Sequence, residues 1–493
     1  PAASSSAHAL ADARIGLHEF ARSLPSVGRF GYEACLNAKL RALRAVFDAA
    51  YDSIIADSGL ADFIKNNEWV MTYAVYKRLK AGYGEKSWRD WPERRKPAPL
   101  DIAFWWNEPD AVREQLFHAW VQYRAADQFS EAARQLADLG VALLGDIPIL
   151  MNDDSADVWA NGEYFDTSMR AGAPPDMYSA TGQNWGFPLY DWDAMAAAGH
   201  SFWKARVAAA NNYYSAFRID HVLGFFRIWA LGDRDETGSM GRFIPGPLVT
   251  KDELASPGFS DSRIRWLSEP PLPGTELRDV VSASVTGALL LADGESSDAG
   301  KLVFDIIARA LVRIGDEDLY LFGANIQGEK DITSLGLPDT VSAWLKERWR
   351  DRALLPAGAG LWAPVWTYRD SRAWRSLSDT ERNDLSYLFD RRRTEAEAEW
   401  ETRGRELLAM LKAASPMLPC AEDLGAVPDC VPRVLSGLGI PGLRIPRWMR
   451  SWNEPGQPFI PLKRYETLSV CTPSVHDTST LRGWWEKEEG STA

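Results

Sequence analysis

Phe217-Arg218-Ile219-Asp220-His221 is flanked by strand-like and glycine-bearing sequence. It reads as the end of a β-strand that presents a carboxylate. Side chains alternate along a strand, so Arg218 and Asp220 share a face. A guanidinium two residues ahead of a carboxylate favours its ionised form and fixes its rotamer. A nucleophilic Asp needs both. Two more carboxylate motifs follow, Ala421-Glu422-Asp423-Leu424-Gly425 and Ser474-Val475-His476-Asp477-Thr478. A lone R-x-D is more often a structural ion pair than a site. Three such motifs at three strand ends point instead to glycosyl transfer, in which one carboxylate attacks, one shuttles a proton and one steadies charge.

The roles divide by environment. Asp220 is the expected nucleophile, with His221 beside it to bond the sugar or a neighbouring carboxylate. Glu422 is the expected acid/base, because a Glu ending an apolar strand (Leu418, Cys420) is partly desolvated and its protonated form favoured. Asp477, next to His476, is the third carboxylate, suited to holding a sugar hydroxyl. Residues 172–190 form the other signal. Gly172-Ala173-Pro174-Pro175-Asp176 and Gln183-Asn184-Trp185-Gly186-Phe187-Pro188 read as a rigid loop. Asp176 and Gln183 offer hydrogen bonds there, and Tyr178, Trp185 and Tyr190 offer stacking faces. Such a loop binds sugar and excludes water, or else packs its aromatics on the fold as any loop does.

Outward from these motifs, the chain reads as repeated βα units. Phe117 to Tyr123 is read as a strand, Ser130 as the cap of a helix stopped by Gly140, and Val141 to Ile149 as a second strand. Late in the chain Met417 to Asp423 reads as strand, Pro428 to Leu438 as helix, Gly442 to Ile445 as strand and Leu468 to Pro473 as strand. Polar residues at strand C-terminal ends indicate a parallel sheet or a (β/α)8 TIM-type barrel. Residues 1–100 are expected to be a helical N-terminal segment, 101–235 the first part of the barrel, 236–400 a partly helical insertion and 401–493 the second part. Within the insertion, Glu269-Pro270-Pro271-Leu272-Pro273-Gly274 reads as a loop, and Lys301 to Arg313 and Ser376 to Ala414 as helices.

The 493 residues carry a net charge of −13, with 46% apolar and 25% charged residues. An acidic balance argues against nucleic acid as a partner, and no apolar run is long enough to span a bilayer. Four cysteines without C-x-x-C spacing favour a reducing, cytoplasmic setting. The six histidines show no metal-ligand spacing, and no cofactor is expected. The 22 Trp suit sugar stacking, although for any single Trp the core is the simpler place.

The motifs resemble those of the 4-α-glucanotransferases of glycoside hydrolase family 77, the amylomaltases and disproportionating enzymes. The resemblance rests on Gly145-Asp146-Ile147-Pro148, Ala173 to Asp176 with Gly182 to Gly186, Phe217 to His221 with Gly224 to Trp229, Ala421 to Gly425, Gly442 to Ile445, and His476 to Thr478 with Thr480 to Trp485. It implies a retaining glucanotransferase with Asp220 as nucleophile, Glu422 as acid/base and Asp477 as transition-state stabiliser. Arg218, His221, His476 and Asp146 fall on supporting or substrate-binding positions, and Trp185 on a substrate-contacting loop. The roughly two hundred residues between Asp220 and Glu422 are similar to the branch that carries an insertion there. That branch implies transfer from maltose or maltodextrin to a glycogen-like polysaccharide. The resemblance also implies a first barrel strand ahead of the N-terminal helices and a last one after Trp485, so the chain, which starts at Pro1, is expected to be a fragment with an incomplete barrel. An α-glucan hydrolase on the same barrel and an inert glucan-binding fragment stay open at this point.

Overall fold

The computed structural model describes residues 2–24, 31–269, 271–289, 296–451 and 454–489. Pro270 and the terminal Gly490 to Ala493 lie outside them. The chain divides into two compact units, one of residues 1–143 with 153–164 and one of residues 144–152 with 165–493.

The first unit is helical. Its core gathers Phe47, Leu60, Phe117 and Trp120, with Phe117 edge-on to Phe47 at 5.4 Å. The strand expected at Phe117 to Tyr123 is a correction: it lies inside one helix, Val112–Asp138. Phe117 and Trp120, three residues apart, both bury on that helix. Aromatic residues favour strands only weakly when packing on a helical face is available. Ser130 sits mid-helix rather than capping one.

The second unit is built on five parallel strands: β1 (Leu144–Ile147), β2 (Ala216–Ile219), β3 (Leu418–Ala421), β4 (Gly442–Arg444) and β5 (Ser469–Cys471). They stand in the sheet in chain order, with β1 and β5 outermost. Among the described residues these are five of the eight strands a closed barrel needs. Asp146, Arg218 and Cys420 occupy one row of the register, and Ile147, Ile219 and Ala421 the next. The ladder continues one step further, where Asp220 N–H donates to Ile147 C=O (3.3 Å) and Glu422 N–H to Ile219 C=O (3.0 Å). Asp220 and Glu422 therefore leave adjacent strands at the same height. Phe217 and Ile219 are buried on the opposite face. Gly145 has to be glycine, since a Cβ there would lie 2.2 Å from the Tyr214 ring. Helix Cys430–Leu438 ends at Gly439 with φ 64°, the left-handed stop that glycine supplies without strain.

Segments before and after β2 pair as an antiparallel four-stranded sheet, joining Gln183–Asn184, Met169–Ala173, Ile228–Gly232 and Arg242–Ile244 in that order. It turns the 172–190 stretch into a folded flap. A Cβ on Gly172 would sit 2.1 Å from Gln183 C=O, so glycine permits that pairing.

Residues 236–400 contain two apolar clusters. One centres on Leu254, Leu267, Leu354 and Leu385, the other on Leu272, Val281, Ile307 and Leu345. The helix expected at Lys301 to Arg313 stops at Ala310, and Leu311–Arg313 pairs as a strand with Leu319–Phe322. The loop expected around Pro271 includes Leu272–Pro273, which pairs with that same strand. Helix Asp379–Ala413 starts at a capping box, with Ser378 N–H donating to Glu381 (2.7 Å) and Glu381 N–H to Ser378 (3.3 Å). No helix among the described residues is long and apolar enough to cross a membrane.

Beneath the flap, Asp235 is only 6% exposed and accepts from Gly232 N–H (3.0 Å). Burial, then the charge of Glu329, push its carboxyl up to about 7, against Arg352 and Lys330. A carboxyl raised on folding contributes stability that is present below its unfolded value and lost as pH rises through the folded one. Asp235→Asn is therefore expected to be the more stable form at pH 8, by up to about 4 kcal/mol, and to lose that advantage near pH 4. Urea melts of both proteins at the two pH values check this.

Candidate active site

Arg218 is the hub. Its guanidinium is 7% exposed and reaches four carboxylates. One terminal nitrogen donates to both oxygens of Asp146 (2.8 and 2.8 Å) and to Asp220 Oδ1 (3.0 Å). The other lies 2.8 Å from Glu422 Oε1 and 3.7 Å from Asp477 Oδ2. Strand alternation explains the first three: Asp146 and Arg218 share a row, and Asp220 lies two residues on. Asp477 arrives from the loop after β5.

Four carboxylates around one guanidinium leave the cluster short of positive charge. Burial, then the charge of Glu422, push the Asp220 carboxyl up, and Arg218 opposes this only in part. The upward push thus falls on Asp220, although Arg218 was expected to hold it ionised. Burial and the charges of Glu422 and Asp146 outweigh a guanidinium that Asp220 shares with three other carboxylates. Asp220 and Glu422 stand side by side at the ends of adjacent strands, the two carboxyl groups that a retaining glycosyl transfer requires.

His221 takes φ 41°, a left-handed conformation that costs a non-glycine residue about 1–3 kcal/mol. The turn aims its backbone N–H at Glu422 Oε2 (2.8 Å). Burial pushes its imidazole down to about 4, with Asp220 pulling the other way, so the ring is neutral near pH 7. It meets Trp185 edge-to-face, centroids 4.9 Å apart. Trp185 donates its indole N–H to Gln183 Oε1 (2.9 Å). His476 lies between Asp146 (3.5 Å) and Asp477 (3.3 Å).

Asp146, Gln183, Trp185, Arg218, Asp220, His221, Glu422, His476 and Asp477 are thus linked by contact. Asp176 and Tyr178 are placed differently. The Asp176 carboxylate accepts from the N–H groups of Tyr178 (2.8 Å) and Ser179 (2.7 Å) and so closes its own turn, leaving Tyr178 73% exposed.

Three supports lie outside the candidate site residues read from the sequence. Asp423, next to Glu422, is bonded by both its oxygens to Arg444 (2.9 Å each) and receives Leu443 N–H (3.0 Å), which ties the Glu422 loop to β4. Arg227 donates to Ala426 C=O (2.9 Å) while stacked on Phe243 and Trp400. Arg447 holds Ser479 through its side chain and carbonyl (2.8 Å each), just beyond Asp477. A charged residue inside an otherwise apolar motif was the available clue for Arg227 and Arg444.

Comparison with known proteins follows the same lines. The profile of the Glyco_hydro_77 family, 4-alpha-glucanotransferase, matches residues 3–493. The rice (Oryza sativa subsp. japonica) 4-alpha-glucanotransferase DPE2 is 31% identical over 471 residues, which are 93% of this chain and 48% of that one. The Chlamydia pneumoniae 4-alpha-glucanotransferase is 25% identical over 475 residues, 95% of this chain and 59% of the relative. The chain spans about half the length of the curated relatives it matches. A solved amylomaltase from Streptococcus agalactiae, in complex with acarbose, shares its fold with a TM-score of 0.54 at 17% identity, over 94% of this chain and 64% of that one. A mixed α/β chain with strand-end carboxylates in this order, matched almost end to end, belongs to glycoside hydrolase family 77, the 4-alpha-glucanotransferases.

Proposed function

We propose that this chain carries a retaining 4-α-glucanotransferase site that moves glucosyl units from maltose or maltodextrin to a glucan acceptor. The observation that carries the reading is the Arg218 hub, which gathers Asp146, Asp220, Glu422 and Asp477 at the ends of parallel strands. Glu422 gives its proton to the glycosidic oxygen as the bond to C1 breaks, and a carboxylate oxygen of Asp220 bonds to C1 from the other face. Asp477 steadies the charge that develops on the ring. Glu422 then takes the proton of an incoming 4-hydroxyl, whose oxygen displaces Asp220. Two inversions give net retention.

Transfer outruns hydrolysis when water is kept from the glucosyl-enzyme. The flap over 172–190, with Trp185 on His221, is the element suited to that. Gln183, Asp176, Tyr178 and His476 are the sugar contacts of this reading, and 236–400 is an insertion into a (β/α)8 barrel. Four free cysteines support a reducing, cytoplasmic location. The experiment is release of glucose from maltose in the presence of glycogen. Glucose appearing in step with glycogen elongation is expected. Reducing sugar formed without elongation would mark a hydrolase, and no turnover at all would sink the reading.

A further inference from the structure

Glu329 lies far along the chain from the carboxylate cluster, yet it is 1% exposed. A buried carboxylate is costly unless every acceptor is used, and here they are used. One oxygen, Oε2, accepts from Glu236 N–H (3.1 Å), Thr237 N–H (2.8 Å) and Thr237 Oγ1 (2.9 Å). The other accepts from Arg350 Nε (2.5 Å). Lys330 N–H adds a bond to Arg234 C=O (2.9 Å) beside it.

The turn so held is the one that holds the flap. Asn184 Nδ2 donates to Asp235 C=O (2.7 Å), and Ser239 Oγ to Thr181 C=O (3.0 Å). Gly238 presses on the flap so closely that a Cβ would lie 2.2 Å from Ala173 C=O and 2.4 Å from Gln183 N. Trp185 follows Asn184 and rests on His221, whose N–H holds Glu422. Contacts are therefore continuous from Glu329 to the acid/base carboxylate. The bonds that satisfy Glu329 therefore also fix residues 236–237, in the turn that meets the flap.

We propose that Glu329 is a positioning residue for glycosyl transfer. It fixes the Thr181–Gly186 flap through the 235–239 turn, and so sets how the glucosyl-enzyme divides between acceptor and water. The catalytic half of this proposal rests on the glucanotransferase reading above. Gln cannot replace Glu329 fully, because one oxygen becomes an NH2 facing either Arg350 or three donors.

The test compares wild type, Glu329→Gln and Ser239→Ala, each as the full chain with maltodextrin and glycogen. Ser239→Ala removes a single bond to the flap and keeps the test alive if Glu329→Gln does not fold. The readout is the ratio of hydrolysis to transfer, which does not depend on how much protein is folded. It is expected to rise about five-fold, the effect of one lost hydrogen bond. Amide exchange across 181–186 is expected to quicken by a similar factor. Glu381→Gln serves as control. Glu381 pairs with Arg263 (3.0 Å) at a helix cap, and its loss is expected to leave the ratio alone. An unchanged ratio in both folded test variants overturns the proposal, as does a shift matched by the control. If the wild type transfers nothing, the glucanotransferase reading fails, and the exchange rates still decide whether Glu329 holds the flap.

Discussion

Asp220→Asn is expected to lower glucosyl transfer by roughly 10⁴-fold or more, since an amide cannot form the glucosyl ester and nucleophile losses are of this order. The fold should survive the change. Asp220 is pushed up by burial and by Glu422, so a neutral isostere relieves repulsion between neighbouring carboxyls. The prediction is therefore two-sided: activity vanishes while the melting temperature at pH 8 stays level or rises. Retained turnover ends the assignment of Asp220 as nucleophile. A large fall in melting temperature would mean that Asp220 serves the Arg218 network more than it serves chemistry.

Arg218→Leu carries the opposite signature. The side chain is 7% exposed and is the cation common to Asp146, Asp220, Glu422 and Asp477. Removing one partner of a buried ion pair costs about 3–5 kcal/mol, because the charges left behind have no counter-ion. Here four carboxylates are left facing one another. Protonation eases that repulsion, so the deficit grows with pH. Chemical denaturation at pH 5 and pH 8 should show the larger loss at pH 8, with transfer abolished at both. A loss that does not vary with pH would show that Arg218 acts by packing rather than by charge.

The sequence made the strands legible where an apolar run followed a glycine stop, as before Ile147 and Leu443, or ran into a carboxylate motif, as after Ile219 and Ala421. It failed where two patterns competed. Phe117 to Tyr123 carries the aromatics of a strand but the spacing of a buried helical face, and packing on Phe47 decided for helix. Lys301 to Arg313 held one run of apolar residues that the structure divides between a helix and a strand. In the site, the link between Arg218 and Asp220 was readable because it is local. The links to Asp146 and Glu422 were not, since those residues meet Arg218 only through the strand register. Glu329 gave no sign at all, because an acidic residue in a polar stretch looks solvated until its burial is seen.

His221 and Glu422 are 201 positions apart in the chain and 2.8 Å apart in space. With β2 and β3 paired in register, everything between them is a ring closed at the sheet. The entropy of closing such a ring rises only with the logarithm of its length, so doubling the ring costs about 0.6 kcal/mol. Its two ends are pinned by strands, not by its contents. Whole subdomains can thus enter or leave this ring at a cost smaller than that of one buried methylene. It is where a chain of this design can acquire new surfaces while its reacting groups stay in place.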